Sequence, residues 1–204
     1  MANQNWVSLL TPGIPAAGAP FTVGASTATL SPVLGAVAAG DSAQVSAPGQ
    51  YLGWQAGMLI RVTARGFITT TTTAGTLTFL LATRLNNAGS TYVTISGAHQ
   101  TLNSFTTATT GIPWKLEGLI RCTAVASSGN TIATQAEMQI SAVPATAQTI
   151  NTATAGLNIY LPSASGETAT AVDTTQAQGI SLRVTGTAAT GTVQCTQWLV
   201  EAMN

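Results

Sequence analysis

The sequence predicts an all-β fold: an antiparallel two-sheet sandwich, jelly-roll-like, carrying an extended N-terminal arm. Three observations predict it. Apolar residues recur with a period of two in several segments, which is the signature of half-buried strands. Those segments are separated by Gly, Ser, Thr and Asn, the residues of turns. No segment shows the three-to-four-residue apolar spacing of an amphipathic helix. The 204 residues suit one large β domain, and the reading divides them into an arm, residues 1–29, and a sandwich domain, residues 30–204.

The arm is rich in Pro, Gly and Ala. Pro12, Pro15 and Pro20 lack an amide donor and oppose both helix and central strand. Trp6, Leu9 and Phe21 are the apolar side chains with which such an arm would anchor itself to a neighbour.

Strands follow in order. Met58, Ile60, Val62 and Ala64 alternate with Leu59, Arg61, Thr63 and Arg65, so the charges fall on one face and the aliphatics on the other. Leu77, Phe79 and Leu81 share a face of the next strand, and the two segments read as a hairpin with a longer loop across Ala74-Gly75. A short strand is expected around Tyr92–Ile95. The clearest strand runs from Ile112 to Ala124. Ile112, Trp114, Leu116, Gly118, Ile120 and Cys122 point one way; Pro113, Lys115, Glu117, Leu119, Arg121 and Thr123 point the other. Ser127-Ser128-Gly129-Asn130 reads as the turn into a strand with Ile132, Thr134, Ala136, Met138 and Ile140 on its apolar face. Residues 144–178 read as a long connection holding one short strand at Leu157, Ile159 and Leu161. Ile180, Leu182 and Val184 mark the penultimate strand. The last strand is read with Val193, Cys195, Gln197 and Leu199 inward, which turns Trp198 and Val200 outward.

Composition narrows the function. Charged residues are 6% of the chain, where an average globular domain has about 25%. Hydrophobic residues are 45%, and mean hydropathy is +0.32. The surface must therefore be coated by uncharged Thr, Ser, Ala, Gly and Gln, which offers little electrostatic repulsion to a neighbouring copy. The six basic residues are scattered, with no stripe to neutralise phosphates, so no direct nucleic-acid partner is expected. No run approaches the roughly 20 apolar residues of a membrane span, and the first residues show no basic and apolar secretory pattern.

No catalytic constellation is expected. His99 is the single histidine, and Cys122 and Cys195 are spaced unlike a metal site. The two cysteines sit in strand-like alternation as small buried hydrophobes, and the sequence leaves a bridge between them open. Gly40-Asp41-Ser42 superficially matches an esterase nucleophile block, but lacks the strand–turn–helix context that activates such a serine. The carboxylates carry no spacing that identifies a glycosidase. Neither a cofactor nor a metal is expected. Trp54, Tyr51 and Tyr92 lie in or near loops, where aromatic rings could stack on a sugar or pack beneath the arm. Leu119, between Glu117 and Arg121, and Trp198 and Val200, opposite Leu199, are apolar residues off the expected core face. With Trp6, Leu9 and Phe21 they are the candidate interface residues.

The segments Leu59-Ile60-Arg61-Val62-Thr63-Ala64-Arg65-Gly66, Gly75-Thr76-Leu77-Thr78-Phe79, Pro113-Trp114-Lys115-Leu116-Glu117-Gly118-Leu119-Ile120-Arg121-Cys122, Asp173-Thr174-Thr175 and Cys195-Thr196-Gln197-Trp198-Leu199-Val200-Glu201 resemble, in this order, a group of tailed-bacteriophage virion proteins. These are of the capsid decoration (cement) or minor head kind. The resemblance covers roughly residues 57–204. It implies a jelly-roll-like domain that forms homotrimers and contacts the major capsid protein or other virion proteins. It also implies a location in the virion after assembly in the host cytoplasm. It carries over no catalytic residue. A non-enzymatic decoration protein bridging capsomers is thus the expectation, with a receptor- or glycan-binding fibre or tail module as the alternative.

Overall fold

The computed structural model describes residues 54–71, 77–85, 93–96, 99–100, 109–141, 158–162, 167–176, 178–186 and 191–203. Nearer the N-terminus it describes the backbone of five short strands. The strands are β1 (Val7–Leu9), β2 (Phe21–Thr22), β3 (Ala28–Ser31), β4 (Gly35–Val37), β5 (Val45–Ser46), β6 (Leu59–Thr70), β7 (Leu77–Leu85) and β8 (Val93–Thr94). They continue with β9 (His99–Gln100), β10 (Thr109–Cys122), β11 (Asn130–Ser141), β12 (Asn158–Pro162), β13 (Thr168–Ala171), β14 (Gln178–Gly186) and β15 (Gly191–Met203). Every described element is a strand.

Two antiparallel sheets form the sandwich. The larger has the order β1-β15-β6-β10-β11-β12, with β13 also on β11 and β2 also on β15; the smaller has the order β4-β3-β14-β7-β8, with β5 on β14 and β9 on β7. The chain switches sheet between β2 and β3, β5 and β6, β6 and β7, β9 and β10, β13 and β14, and again between β14 and β15. This corrects the expected hairpin of β6 with β7. Both strands turn apolar faces to the same core, but from opposite sheets, and period-two alternation is blind to that difference. The short strands β9 and β13 go beyond the sequence expectation; β8 and β12 stand where it places short strands.

The core is the filling between the sheets. Ile60, Val62, Ala64 and Ile68 from β6 join Ile112, Trp114, Leu116 and Ile120 from β10, and meet Leu77, Phe79 and Leu81 from β7 and Ile180, Leu182 and Val184 from β14. Each large side chain so buried contributes about 1.5–3 kcal/mol. The Phe79 and Trp114 rings lie 5.3 Å apart between centroids and tilted by 44°. On β10 and β11 the expected core faces are buried, and at the start of β11 Thr131 and Ala133 on the opposite face are buried as well.

On β15 they are not. The ladder with β6 pairs Cys195 with Gly66 and Gln197 with Arg65, so Thr196 is an extra residue, a β-bulge. The bulge reverses the facing of everything after it. Val193 and Cys195 are buried before it; Trp198 (5% exposed), Val200 (0%) and Ala202 are buried after it, while Leu199 is half-buried. Trp198 and Val200 therefore belong to the subunit's own core, not to an interface, which corrects their expected place. The partner strand is shaped for this: a Cβ on Gly66 would run into the Gln194 carbonyl oxygen and the Trp114 ring. A second irregularity lies between Thr109 and Ile112 of β10, where Gly111 takes a φ of 74°, a conformation open to glycine.

Two described parts of the expected arm lie along this same strand. β1 pairs with Glu201–Met203 and β2 with Thr192–Val193 of β15, so these backbone stretches extend the edge of the larger sheet. The expected domain boundary after residue 29 falls inside β3, which pairs with β14.

At the far end of the β10–β11 hairpin, threonines tie the turn to the segment ahead of β14. The Thr131 hydroxyl donates to the Val172 carbonyl at 2.5 Å and accepts from the Val172 amide at 2.9 Å. The Thr174 hydroxyl donates to the Ala124 carbonyl at 2.9 Å and accepts from the Ala126 amide at 3.0 Å. Asp173 closes the adjacent turn by accepting from the Thr175 hydroxyl and amide and from the Gln176 side chain, and these donors hold its carboxyl below the usual carboxylate range.

Candidate functional site: the outer face of the larger sheet

Strand alternation sends Arg61 and Arg65 from β6, Lys115, Glu117 and Arg121 from β10, Glu137 from β11 and Glu201 from β15 to one surface, the outer face of the larger sheet. Seven of the chain's twelve charges thus gather on one face: four of the six basic residues and three of the six acidic ones. Elsewhere among the described residues the charges are few. Glu167 precedes β13 at the rim, Asp173 sits in its turn, and Arg183 is buried in β14.

The charged face is ordered in rows by the strand register. Pro113 stands opposite Phe67, Lys115 opposite Arg65 and Leu119 opposite Arg61 across β10 and β6. Glu117 stands opposite Glu137 and Lys115 opposite Gln139 across β10 and β11. Three ion pairs fasten part of it: Arg61 Nε to Glu201 Oε2 at 2.7 Å, Lys115 Nζ to Glu117 Oε1 at 2.7 Å, and Arg121 to Glu167 at 3.0 Å. The hydrogen bond and charge of Glu201 raise the Arg61 pKa, so the guanidinium stays charged. Such exposed pairs generally add little to stability. Their effect here is to set where charge stands on the surface.

Apolar side chains are exposed among the charges. Leu119 is 41% exposed and Phe67 44%. Two shallow depressions flank them, one lined by Arg61, Glu117, Leu119, Gln135 and Met203, the other by Arg65, Phe67, Pro113, Lys115 and Gln197. Both open broadly to solvent, the form of a contact surface rather than of an enclosed substrate pocket.

Of the candidate interface residues, Leu119 stands in the middle of this face. Trp198 and Val200 are withdrawn to the core. Leu9 and Phe21 lie in β1 and β2 at the sheet edge, where only the backbone is described, and Trp6 lies outside the described residues. Phe67 is the residue that sequence reasoning missed, although β6 carries its alternation through Gly66 and so places Phe67 on the side of Arg61 and Arg65. Trp54, a candidate for sugar stacking, is 5% exposed and part of the core; Tyr51 and Tyr92, and the Gly40-Asp41-Ser42 segment, lie outside the described residues. His99 pairs with Phe79 through β9, and its side chain is not among those described. Cys122 and Cys195 are both free thiols. Burial pushes the Cys195 thiol up to about 12 and raises Cys122 as well, so both are held in the unreactive thiol form. Among the described residues no three of His, Cys, Asp and Glu stand where they could hold a metal ion, and no helix is long and apolar enough to cross a membrane.

Comparisons with protein-family models, with curated proteins and with solved structures find no match to this chain.

Proposed function

We propose that this chain is a structural protein of a virion, of the capsid decoration or cement kind, which works by binding and not by catalysis. The observation that carries the reading is the gathering of charge and exposed apolar side chains on one broad sheet face, in a chain otherwise coated with uncharged Thr, Ser and Gly. An enzyme concentrates its polar groups in a cleft. A protein that tiles or clamps an assembly presents a wide, patterned surface instead. The family resemblance of residues 57–204 supplies the virion context, with the major capsid protein as partner and trimers as the unit of assembly. The glycan-binding alternative loses support from the burial of Trp54.

The test is location. Purified particles from the producing host, analysed by quantitative mass spectrometry and electron microscopy, should contain this chain in many copies on the head. Its absence from particles that are otherwise complete would overturn the reading.

A further inference from the structure

The outer face of the larger sheet holds like charges directly opposite one another. Lys115 faces Arg65 across β10 and β6, and one register step along β10 Glu117 faces Glu137 across β10 and β11. Like charges in directly opposed cross-strand positions destabilise a sheet. Only part of this is relieved within the subunit. Lys115 reaches Glu117 at 2.7 Å, but neither Arg65 nor Glu137 has an ion-pair partner among the described residues. A basic row and an acidic row lie side by side on one exposed surface, each uncompensated at its outer member.

The apolar residues repeat the pattern. One step beyond the basic row stand Phe67 and Pro113; one step beyond the acidic row stands Leu119. Along β10 the sequence of levels is apolar, basic, acidic, apolar, and its spacing is symmetric about the line between Lys115 and Glu117. A two-fold axis lying in that line, across the strands, brings a second copy of the same face down on the first with its strands reversed. Lys115 of each copy then stands over Glu117 of the other, and each Leu119 meets the Phe67–Pro113 step of the other. The outer members, Arg65 and Glu137, are offset sideways from opposite charge, a displacement that long, flexible side chains can span.

We infer that two copies of this chain pair face to face through the outer surface of the larger sheet, in an isologous contact centred between Lys115 and Glu117. Self-complementarity is what an isologous interface requires, and it is present here in both charge and apolarity. With strands spaced about 4.8 Å apart, about four of them across the face and about nine residues long, the patch measures roughly 20 Å by 27 Å. Two such patches bury on the order of 1,000 Å², at the lower limit for a specific interface. A contact of this size sits with the weak and transient ones, and one built on exposed charges loosens with salt. This contact does not rest on the particle reading and is separate from any three-fold contact within a trimer.

Charge exchange tests it. The variant R65E/K115E makes both rows acidic, and E117K/E137K makes both basic. Each alone should lose self-association by at least tenfold in sedimentation at low salt. The two mixed should recover it as a one-to-one species, since acidic rows then meet basic rows at both levels. The fourfold exchange R65E/K115E/E117K/E137K should pair with itself as the unaltered chain does. All the substitutions replace side chains at the surface, and circular dichroism checks that each variant keeps its sheets. The unaltered protein should sediment at an even multiple of 20.6 kDa. Self-association untouched by either double variant, failure of the mixture to recover, or an odd-numbered assembly at concentrations that saturate the contact would overturn the pairing. Presence in or absence from particles is read separately and bears on the proposed function alone.

Discussion

The two sheets of this sandwich treat their outer faces differently. In the larger sheet, β10 is buried on one side and open on the other, and the open side carries Lys115, Glu117, Leu119 and Arg121. In the smaller sheet, the central strand β14 is buried on both sides: Gly179, Ser181 and Arg183 are as enclosed as Ile180, Leu182 and Val184. A strand covered on both faces has finished its packing within the subunit. A strand with one charged, half-apolar face open has a surface still available for contact. The contrast separates the part of the molecule that holds it together from the part that meets something else, and it can be broken or sharpened by mutation.

The largest effects belong to the enclosed side of the larger sheet. Trp114→Ala should cost about 3–5 kcal/mol in chemical denaturation, whereas Lys115→Ala, one residue away on the open face, should stay within about 0.5 kcal/mol. Deleting Thr196 alone should be mild, because it removes the extra residue and leaves Cys195, Trp198 and Val200 inward in an unbroken period of two. Deleting Thr196 and Gln197 together should be as damaging as the loss of Trp114, because Trp198 and Val200 then turn out of the core. If the single deletion is the more damaging of the two, or Trp198→Ala is mild, the bulge does not set the facing of β15.

Hydrogen bonds at the hairpin end come next. Thr131→Val removes a donor and an acceptor from the Val172 backbone and should cost about 1–3 kcal/mol, since both backbone groups are left buried. Ser128→Ala, at an exposed position in the neighbouring turn, should be neutral within about 0.5 kcal/mol. Equal losses from the two changes would show that the Thr131 hydroxyl does not carry this junction.

The thiols probe enclosure without changing stability. Cys195, its pKa pushed up to about 12, and Cys122, also raised, should resist a thiol reagent at pH 8 in the folded protein and react fully in denaturant. Reductant should leave the melting curve unchanged, as both thiols are free. Rapid labelling of either cysteine in the folded state would show that the end of β10 or the middle of β15 opens readily.

The smallest effect is electrostatic. Asp173 has its carboxyl lowered in the folded state by the Thr175 and Gln176 donors. Its contribution to stability is therefore present above the ordinary carboxylate pKa and is lost as pH falls through the lowered folded value. Asp173→Asn should slightly lower stability at neutral pH, leave it unchanged below the lowered folded value, and so flatten the acid limb of the stability–pH profile; a steeper acid limb would contradict the turn geometry.

Sequence reasoning reached β10 and β11 almost residue by residue, because nothing interrupts their alternation between Ile112 and Ile140 except a turn marked by Ser, Gly and Asn. It failed on β15 for a physical reason. The bulge residue is Thr196, an ordinary strand former, and no glycine beside it on β15 announces it; the compensating glycine, Gly66, sits on the neighbouring strand. The supposed β6–β7 hairpin failed because a period of two reports which way a side chain points and not which sheet it belongs to. Leu119 was legible because it interrupts a charged run on its own strand. Phe67 was not, since the alternation read from the sequence stops at Arg65 although the strand continues to Thr70. The rows of like charge were out of reach without the register that sets Lys115 beside Arg65 and Glu117 beside Glu137.

The most direct measurement is hydroxyl-radical footprinting of the protein at low and high concentration. Phe67 and Leu119 should lose reactivity together as copies associate, while Val125, exposed at the hairpin end away from the face, keeps its own. Association that leaves Phe67 and Leu119 as reactive as in the single subunit would contradict the assignment of this face as the contact surface.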